Sequence, residues 1–376
     1  MISAEDGIAM LAEVERFGER VLAPLFSAAG EDIAQSDLVA TLAKAEAMGL
    51  MPQATQLGFG LWEQSEDVAV FQLHLSMLAS IARHSASLAL EMHLSSLAAR
   101  VLTAAGTTFD GKANIVLDAH GGLARYSLAK FVSDQPVREE DELILRQYFA
   151  DETGESPFYC QAIASSHLLV PVWNCTTGAE WRLYALKDIT EDQLRVHGLD
   201  AMCHYSARFR TSAIPFSIFS LSQSVPYAQV MGINAAGLIA IQTGVATAAY
   251  ECAQRYAAQR SQGGCLIKNH AAVQQLLMNS RAAGTLGQAL LASLPVPNGV
   301  AALADIIEKR AAMHDLFLNS ATDALQVFGG YGYMQDYGIE KLVRDQNQLV
   351  LLGGSASAAK LFLFALVDAQ VGGVYA

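Results

Sequence analysis

The hydrophobic pattern of this chain changes twice along its length, and these two changes limit the possible folds more than any other feature. Before Gly106 the apolar residues recur at helical spacing, and an Ala- and Leu-rich segment extends from Val68 to Ala105. After Gly106, short β-branched and aromatic segments alternate with Gly, Asn, Asp and Thr. After Pro226 the helical pattern returns. We therefore expect an α+β fold with a helical domain, a β-domain and a second helical domain.

The predicted domains cover residues 1–108, 109–225 and 226–376. In the first, Ser36-Asp37 offers an N-cap for a helix over Leu38 to Met48. Five segments predict the strands of the β-domain: Ile115–Leu117, Leu143–Phe149, Leu168–Trp173, Trp181–Leu186 and Tyr205–Ile214. Four long segments with short links predict a C-terminal four-helix bundle through which subunits associate: Val230–Arg260, Ile267–Leu294, Val300–Phe328 and Ser355–Val371.

Composition limits the partners that this chain can have. Its 376 residues are 52% hydrophobic, but no run approaches the roughly 18 uninterrupted apolar residues of a membrane span. The N-terminal Met1-Ile-Ser-Ala-Glu-Asp lacks the pattern of a secretory signal, so we expect a cytoplasmic protein without a membrane partner. The net charge of −13, without clustered Lys and Arg, argues against nucleic acid.

The cysteine and histidine spacings predict no metal site. The five cysteines are widely separated, which is typical of reduced thiols in a cytosolic protein. Five of the histidines have no ligand-like spacing to one another or to carboxylates: His120, His167, His197, His204 and His270. The charge run Arg138-Glu-Glu-Asp-Glu142 is interpreted as a solvated turn before a strand.

The most specific motif lies near the C-terminus. It consists of Gln326-Val-Phe-Gly-Gly-Tyr-Gly-Tyr-Met334, then Asp336-Tyr-Gly-Ile-Glu-Lys-Leu-Val-Arg-Asp345, then Gly353-Gly354-Ser355. A pair of glycines alone predicts only an interhelix turn, but the whole segment resembles the C-terminal signature of the flavin-dependent acyl-CoA dehydrogenases. Ala86-Ser-Leu-Ala-Leu-Glu-Met-His93 resembles a helical segment of the same family. We interpret His93 as a packing residue, and Arg344 with Asp345 as a structural ion pair.

The resemblance implies a chemistry whose central group is missing here. In that family a carboxylate removes a proton beside the thioester of an acyl-CoA, and FAD takes a hydride. One position of this carboxylate corresponds to Gly353. The other lies in a segment matched by Gly232-Ile-Asn-Ala-Ala-Gly237, where the acidic residue is replaced by Ala236 and a following Arg by Gly237. With both positions vacant, no catalytic residue is predicted, and the carboxylates nearest in sequence, Glu251 and Asp336, have no family precedent.

The resemblance also divides the flavin contacts into lost and kept positions. Phe158-Tyr-Cys-Gln161 matches a Trp-Ile-Thr-Asn segment, with Phe158 and Cys160 in place of the flavin-contacting Trp and Thr, and no Thr-Glu-Pro strand is found between Ala113 and Phe149. Residues that would contact the FAD of a neighbouring subunit keep their type, although Gly263 and Ala271 replace a Phe and a Gln of this set. The predicted cofactor-binding residues are Arg260, Gln326, Gly329, Gly330 and Ser355.

Three functions remain open from the sequence. In the first, the chain is a non-catalytic subunit that completes the flavin site or the assembly of an active relative. In the second, it is an active FAD-dependent acyl-CoA oxidoreductase with an unmatched base. In the third, it is a flavin-free homo-oligomer with a binding or structural role. We favour the first. It implies a homo- or hetero-oligomer, dimer or tetramer, in which FAD is bound with a partner subunit and an acyl-CoA-type ligand is possible.

Overall fold

The computed structural model describes the chain except for residues 1–3, 29–32, 53–59, 63–65, 108–110, 118–124, 152–156, 211–212, 222–224 and 373–376. Its described parts follow the predicted order of helical, β and helical regions. The N-terminal region contains α1 (Ala4–Phe17), a π-helical turn (Gly18–Leu22), α2 (Ala23–Ala28), α3 (Gln35–Ala47), α4 (Val68–Ala82) and α5 (Ala86–Ala104).

The long Ala- and Leu-rich segment is two helices and not one. The break falls at Ser85, whose extended backbone begins α5 and whose hydroxyl accepts a hydrogen bond from the Leu88 amide at 3.3 Å. Asp67 caps α4 in the same way. The N-cap predicted for α3 was wrong, because that helix already begins at Gln35 and its N-cap residue is Ala34.

The middle region forms two sheets and two helices. The helices are α6 (Arg125–Val132) and α7 (Glu139–Tyr148). The strands are β1 (Ala113–Ile115), β2 (Ala150–Asp151), β3 (Phe158–Ala162), β4 (His167–Asn174), β5 (Gly178–Ala185), β6 (Ile189–Gln193), β7 (Cys203–Phe209) and β8 (Ser217–Ser220). The predicted strand Leu168–Trp173 is confirmed by β4, and Trp181–Leu186 is confirmed by β5 up to Ala185. Tyr205–Ile214 is a strand only up to Phe209, where β7 ends, and the first predicted segment overlaps β1 only at Ile115.

The prediction of a strand over Leu143–Phe149 was wrong. This segment forms most of α7, and the charge run before it is the first turn of that helix and not a turn before a strand. The Asp141 carboxylate accepts a hydrogen bond from the Arg138 amide at 3.1 Å, and Glu139 and Glu140 lie in the first turn. Acidic side chains in this position stabilise a helix N-terminus, so local capping decides against the β-type composition.

The larger sheet has the strand order β1-β4-β5-β8, with β2 also paired to β4. β1 and β2 run parallel to β4, while β5 is antiparallel to it with Val170 opposite Arg182. The smaller antiparallel sheet has the order β3-β7-β6. Alternate residues of β4 enter two cores: Leu169 lies in the main core and Leu168 in a second core shared with β3. Burial on both faces explains its continuous apolar sequence.

The C-terminal region confirms the four predicted helices and adds another. It contains α8 (Tyr227–Gln259), a hairpin of β9 (Ser261–Gln262) and β10 (Cys265–Leu266), α9 (Ala271–Leu291), α10 (Val300–Phe328), α11 (Ile339–Leu351) and α12 (Ala356–Gly372). The sequence signature thus includes a helix of its own, α11. It begins after Gly338, whose left-handed φ of 67° ends the preceding turn.

Two segments are long and apolar enough to cross a membrane by length and composition, Tyr227–Gln259 and Ile339–Asp368. The first is α8, and 89% of its apolar window is buried, so it is the central helix of the bundle. The second consists of α11 and α12, which are separated by a turn, and 33% of its window is buried. Its exposed apolar residues lie mainly on α12.

Candidate functional site

The signature loop after α11 lies beside α8, the first bundle helix. Gly353 has a left-handed φ of 71°. A Cβ at this position would lie 3.4 Å from Leu238 Cδ1 and 3.7 Å from Asn234 Nδ2, which are one helical turn apart on α8. Ala236 is fully buried and points away from that face, since residues two apart on a helix do not share a face. The structure therefore brings Gly353, but not Ala236, to this point.

A small cavity separates the β-domain from the bundle beside Gly353. Its volume is about 50 Å³, whereas sites for cofactors and drug-sized ligands are roughly 300 to 1,000 Å³. The described residues that line it come from α5, β1, β3, α8 and the signature loop: Leu90, Leu94, Ile115, Val116, Leu117, Tyr159, Cys160, Gln161, Asn234, Leu238, Leu352 and Gly353. These residues leave no room for an isoalloxazine ring at this point, so the cavity does not fit FAD.

Arg310 of α10 fills the space next to Gly353. Its side chain is buried, and its guanidinium donates hydrogen bonds to the carbonyls of Leu349, Leu352 and Gly353. These carbonyls end α11, so the positive charge is also placed favourably on the helix dipole. A Cβ on Gly353 would lie 3.3 Å from Arg310 Nη1. A carboxylate at position 353 would therefore lie against a buried cation.

His93 occupies the other side of Asn234. Its Nε2 lies 3.1 Å from Asn234 Oδ1, and its ring packs edge-to-face against Trp62 with centroids 5.4 Å apart. Burial lowers the pKa of His93 to about 4, and the hydrogen bond to Asn234 acts in the opposite direction, so the ring is neutral at physiological pH. A Cβ on Gly237 would lie 2.3 Å from His93 Cε1. The glycine at the position of the family's Arg thus makes room for this buried histidine.

Phe158 and Cys160, which match the flavin-contacting Trp and Thr of the family, are packed inside the β-domain, and Cys160 also lines the cavity beside Gly353. Both side chains belong to the small core between β3 and its neighbours, and burial raises the pKa of the Cys160 thiol to about 12. Tyr159 and Gln161 alternate with them along the strand. The Tyr159 hydroxyl lies 2.9 Å from Gln161 Oε1 and 2.5 Å from His204 Nδ1. It also forms a hydrogen bond with Gln348 of α11, so the β-domain contacts the bundle directly here.

The predicted ion pair between Arg344 and Asp345 does not form. Consecutive residues on a helix point in directions about 100° apart, so they find different partners. Arg344 pairs with Glu340 at 2.6 Å and with Asp200 of the β-domain at 2.6 Å. Asp345 pairs with Lys341 at 2.5 Å and accepts a hydrogen bond from the Leu199 amide at 2.7 Å. Together they attach α11 to the loop before β7.

A buried carboxylate that the sequence did not single out lies on α5. Glu91 accepts hydrogen bonds from Asn114 Nδ2 at 2.8 Å, from the Ile163 amide at 3.0 Å and from Ser165 Oγ at 3.4 Å. Burial raises its pKa, and these hydrogen bonds oppose that effect. Glu91 does not line the cavity beside Gly353. Glu91 thus attaches the turn after β3 to the N-terminal helices. In the sequence, the only indication of this role is that Glu91 is a single acidic residue in an otherwise apolar helical segment.

The two carboxylates that lie nearest in sequence to the vacant base positions are not close to Gly353. Glu251 and Asp336 line a second, larger cavity between α4, α8 and α11. Glu251 pairs with Arg83 at 2.7 Å. Neither residue lines the cavity beside Gly353. The described residues thus provide no carboxylate at the vacant base position.

Four of the five predicted cofactor-binding residues gather at one end of the bundle. Arg260 ends α8 with its guanidinium 5.3 Å from the centre of the Tyr331 ring, and Gln326, Gly329 and Gly330 are exposed where α10 ends. Tyr256 and Phe328 stack between these helices with centroids 4.1 Å apart.

Ser355 does not join this group. It lies two residues after Gly353, and its hydroxyl accepts a hydrogen bond from the Ala358 amide at 3.3 Å. Gly353 lies beside Leu238, which is 22 residues before Arg260 on α8. At a rise of 1.5 Å per residue, Leu238 and Arg260 are roughly 33 Å apart along α8. Ser355 therefore caps α12 far from the exposed Arg260 region.

Comparison with known proteins agrees with the family resemblance of the C-terminal signature. Residues 228–360 match the family described as "Acyl-CoA dehydrogenase, C-terminal domain". The chain is 26% identical over 181 residues to a 3-(aryl)acrylate reductase of Clostridium sporogenes, covering 47% of this chain and 43% of that protein. It is 31% identical over 128 residues to a cyclohexane-1-carbonyl-CoA dehydrogenase of Geobacter metallireducens, covering 32% of each. The alignments thus span less than half the length of these curated relatives.

The likeness to solved structures extends over nearly the whole chain. The butyryl-CoA dehydrogenase of Megasphaera elsdenii superposes with a TM-score of 0.71 over 97% of this chain and 98% of that one. Sequence identity in this superposition is 15%, so it shows the fold alone. The shared architecture is a helical N-terminal region, a central β-domain and a C-terminal helical region.

Proposed function

We propose, from the membership of this chain in the acyl-CoA dehydrogenase family, that it is a non-catalytic subunit that assembles with an active relative and helps to complete that relative's flavin site. The observation that carries the proposal is Gly353 at the position of the catalytic carboxylate. A glycine cannot abstract a proton, and the neighbouring space holds the guanidinium of Arg310. A cation at this point would also oppose the uptake of a proton by any carboxylate placed there.

The exposed end of the bundle supports the second part of the proposal. Arg260 has a planar fork of donors that suits phosphate oxygens, and it is exposed. Gly329 ends α10 with a φ of 57°, and a Cβ on Gly329 or Gly330 would meet nothing within 4 Å. Backbone amides at such glycines are open to a close approach by a nucleotide. In this proposal the FAD belongs to the neighbouring subunit, and so does any acyl-CoA-type substrate.

Two other functions compete with this proposal. An active oxidoreductase needs a base beside the cavity at Gly353, and the described carboxylates nearest in sequence, Glu251 and Asp336, line another cavity. A flavin-free homo-oligomer remains the alternative if no active relative assembles with the chain.

The proposal is tested by co-expression with an active acyl-CoA dehydrogenase from the same source. Complexes are isolated by size-exclusion chromatography, and the FAD content is measured by absorbance. We expect the chain alone to be colourless after incubation with FAD and removal of the unbound FAD, and the mixed complex to be yellow and active. The Arg260→Ala variant should retain the fold and the complex but less FAD, because hydrogen bonds to charged groups contribute roughly 1.5 to 3 kcal/mol each.

Arg281→Ala is the matched control, since Arg281 lies on α9 over the Tyr250 ring and outside the Arg260 region. Turnover of an acyl-CoA by the chain alone would support the oxidoreductase instead. If no mixed complex forms and the chain alone is a colourless oligomer, the flavin-free homo-oligomer is the better description.

A further inference from the structure

A cavity separate from the Gly353 site lies where the N-terminal helices meet the bundle. We call it the junction cavity, and it is lined by Arg83, His84, Glu251, Arg255, Asp336 and Tyr337 among others. Its volume is about 460 Å³, which falls within the roughly 300 to 1,000 Å³ of small-molecule sites. Such sites occur preferentially where structural units meet.

The segment between α1 and α2, next to the junction cavity, has an irregular helical backbone. The chain passes from α1 to α2 through the π-helical turn Gly18–Leu22, and Ala23 and Phe26 after it line the cavity. A Cβ on Gly18 would lie 2.4 Å from the ring of His84, so the two chain segments are in close contact there. Turns of this kind are frequent at functional sites. The irregularity thus coincides with the wall of the junction cavity.

Most charges around the junction cavity neutralise one another. The lining includes four Lys or Arg residues and four Asp or Glu residues. Arg83 pairs with Glu251 at 2.7 Å, and Lys341 pairs with Asp345 at 2.5 Å. The pairing of Arg344 with Glu340 neutralises a third set of charges. Burial lowers the pKa of His84, so this ring adds no charge near neutral pH.

Arg255 and Asp336 are the exceptions among these charged residues. Both line the cavity and are exposed, and across the described ranges neither forms an ion pair, although Arg255 forms a side-chain hydrogen bond with Cys252. Cys252 of α8 donates a hydrogen bond to the Tyr337 carbonyl at 3.8 Å, which places the helix turn of Arg255 next to Asp336. An exposed cation and an exposed anion, carried by neighbouring segments, therefore line one cavity whose other charged residues are paired.

We propose that the junction cavity binds a small zwitterion of the α-amino acid class. Its carboxylate is bound by Arg255, its ammonium group by Asp336, and its apolar side chain lies against Phe26 and Ala248 inside the cavity. An anion or a cation alone would form an ion pair with one of the two charged residues and leave the other without one. The Gly353 cavity takes no part, so this inference is independent of the proposed function.

The test is isothermal titration calorimetry of the purified full chain with L-phenylalanine near neutral pH. The analogues 3-phenylpropanoate and 2-phenylethylamine each lack one charge. We expect L-phenylalanine to bind and each analogue to bind at least about tenfold more weakly, as expected for the loss of a hydrogen-bonded charge. Arg255→Gln and Asp336→Asn should each weaken L-phenylalanine binding by a similar factor.

Arg281→Gln is the control, because this exposed Arg lies outside the cavity lining. Circular dichroism melting verifies that each variant is folded. The inference is overturned if L-phenylalanine does not bind at about 10 mM, a limit that corresponds to very weak affinity. It is equally overturned if an analogue binds as tightly as L-phenylalanine, or if neither Arg255→Gln nor Asp336→Asn weakens binding.

Discussion

At the scale of single residues, the buried histidines around Trp62 make stability depend on pH. His93 and His74 both pack edge-to-face against the Trp62 ring. Burial lowers the pKa of each to about 4, from an ordinary value of 6.5. Between these two pH values the unfolded chain binds protons that the folded chain does not, so protonation favours unfolding. The stabilising effect is complete above pH 6.5 and is lost as the pH falls toward 4.

We therefore expect the free energy of unfolding to fall by roughly 3 kcal/mol per buried histidine across this window. His93→Gln should remove about half of the combined loss, because His74 still titrates. Urea denaturation of the wild type and of the variant at several pH values measures the difference. The prediction fails if the variant loses as much stability between pH 6.5 and 4 as the wild type does.

Gly353 provides a second prediction at this scale. Its left-handed φ of 71° disfavours any residue with a Cβ, and that atom would press on Arg310. Gly106 has nearly the same φ, 69°, but a Cβ there would meet nothing within 4 Å. Gly106→Ala should cost roughly 1 to 2 kcal/mol from backbone strain alone. Gly353→Ala should cost more, and thermal unfolding of both variants compares the two; equal losses would mean that the Arg310 contact adjusts freely.

At the scale of secondary structure elements, the contact between α5 and α8 depends on the absence of a side chain. Gly237 lies in the middle of α8, where alanine would normally favour the helix by about 1 kcal/mol. A Cβ there would overlap the His93 ring, at 2.3 Å from Cε1. Overpacking of a buried contact costs roughly 1 to 3 kcal/mol.

Gly237→Ala should therefore destabilise the protein despite its better helix propensity. The penalty should shrink in a His93→Ala background, since residues in contact do not contribute additively. Urea denaturation of the four chains of this cycle measures the coupling. An equal penalty in both backgrounds would show that His93 is not the obstacle.

Arg344 is one of the residues that attach α11 to the β-domain. Its guanidinium also donates a hydrogen bond to the His197 carbonyl at 2.8 Å, in addition to the Glu340 and Asp200 carboxylates. Because the side chain is partly exposed, solvent screening reduces its contribution, and Arg344→Ala should cost about 1 to 2 kcal/mol. Hydrogen exchange in the loop before β7 should become faster. Arg16→Ala, at an exposed pair with Glu13, is the control and should have little effect on stability or exchange.

At the scale of the whole molecule, α12 exposes a row of apolar side chains. Leu361, Phe364 and Val367 are spaced three apart and are exposed, with Phe364 at 60%. Residues at this spacing share one face of a helix, and such faces mark interaction sites. We predict that this face lies in the contact between subunits.

Phe364→Glu should shift the assembly to a smaller species in size-exclusion chromatography with light scattering, since a charge would be buried in the contact. Lys360→Gln, at an exposed neighbour on the same helix, is the matched control and should leave the mass unchanged. An unchanged mass for both variants would place the contact elsewhere on the bundle.

The sequence by itself determined the order of the helical and β-regions and the four long C-terminal helices, because these depend on hydrophobic periodicity over many residues. It also determined that Gly353 and Ala236 carry no carboxylate. In α7, local interactions determined the secondary structure: acidic residues in the first turn favour a helix, and this effect outweighs the β-type composition of the segment.

Only the tertiary structure decided which side chains face the site. Strand alternation placed Phe158 in a core and Tyr159 toward the bundle, and a shift of a single residue in the alignment would exchange them. Arg310 lies 43 residues before Gly353 in the chain, and Glu91 lies 72 residues before the Ile163 amide that it accepts from. Contacts at such separations leave no pattern in a single sequence, because they depend on how whole helices and sheets pack and not on local spacing.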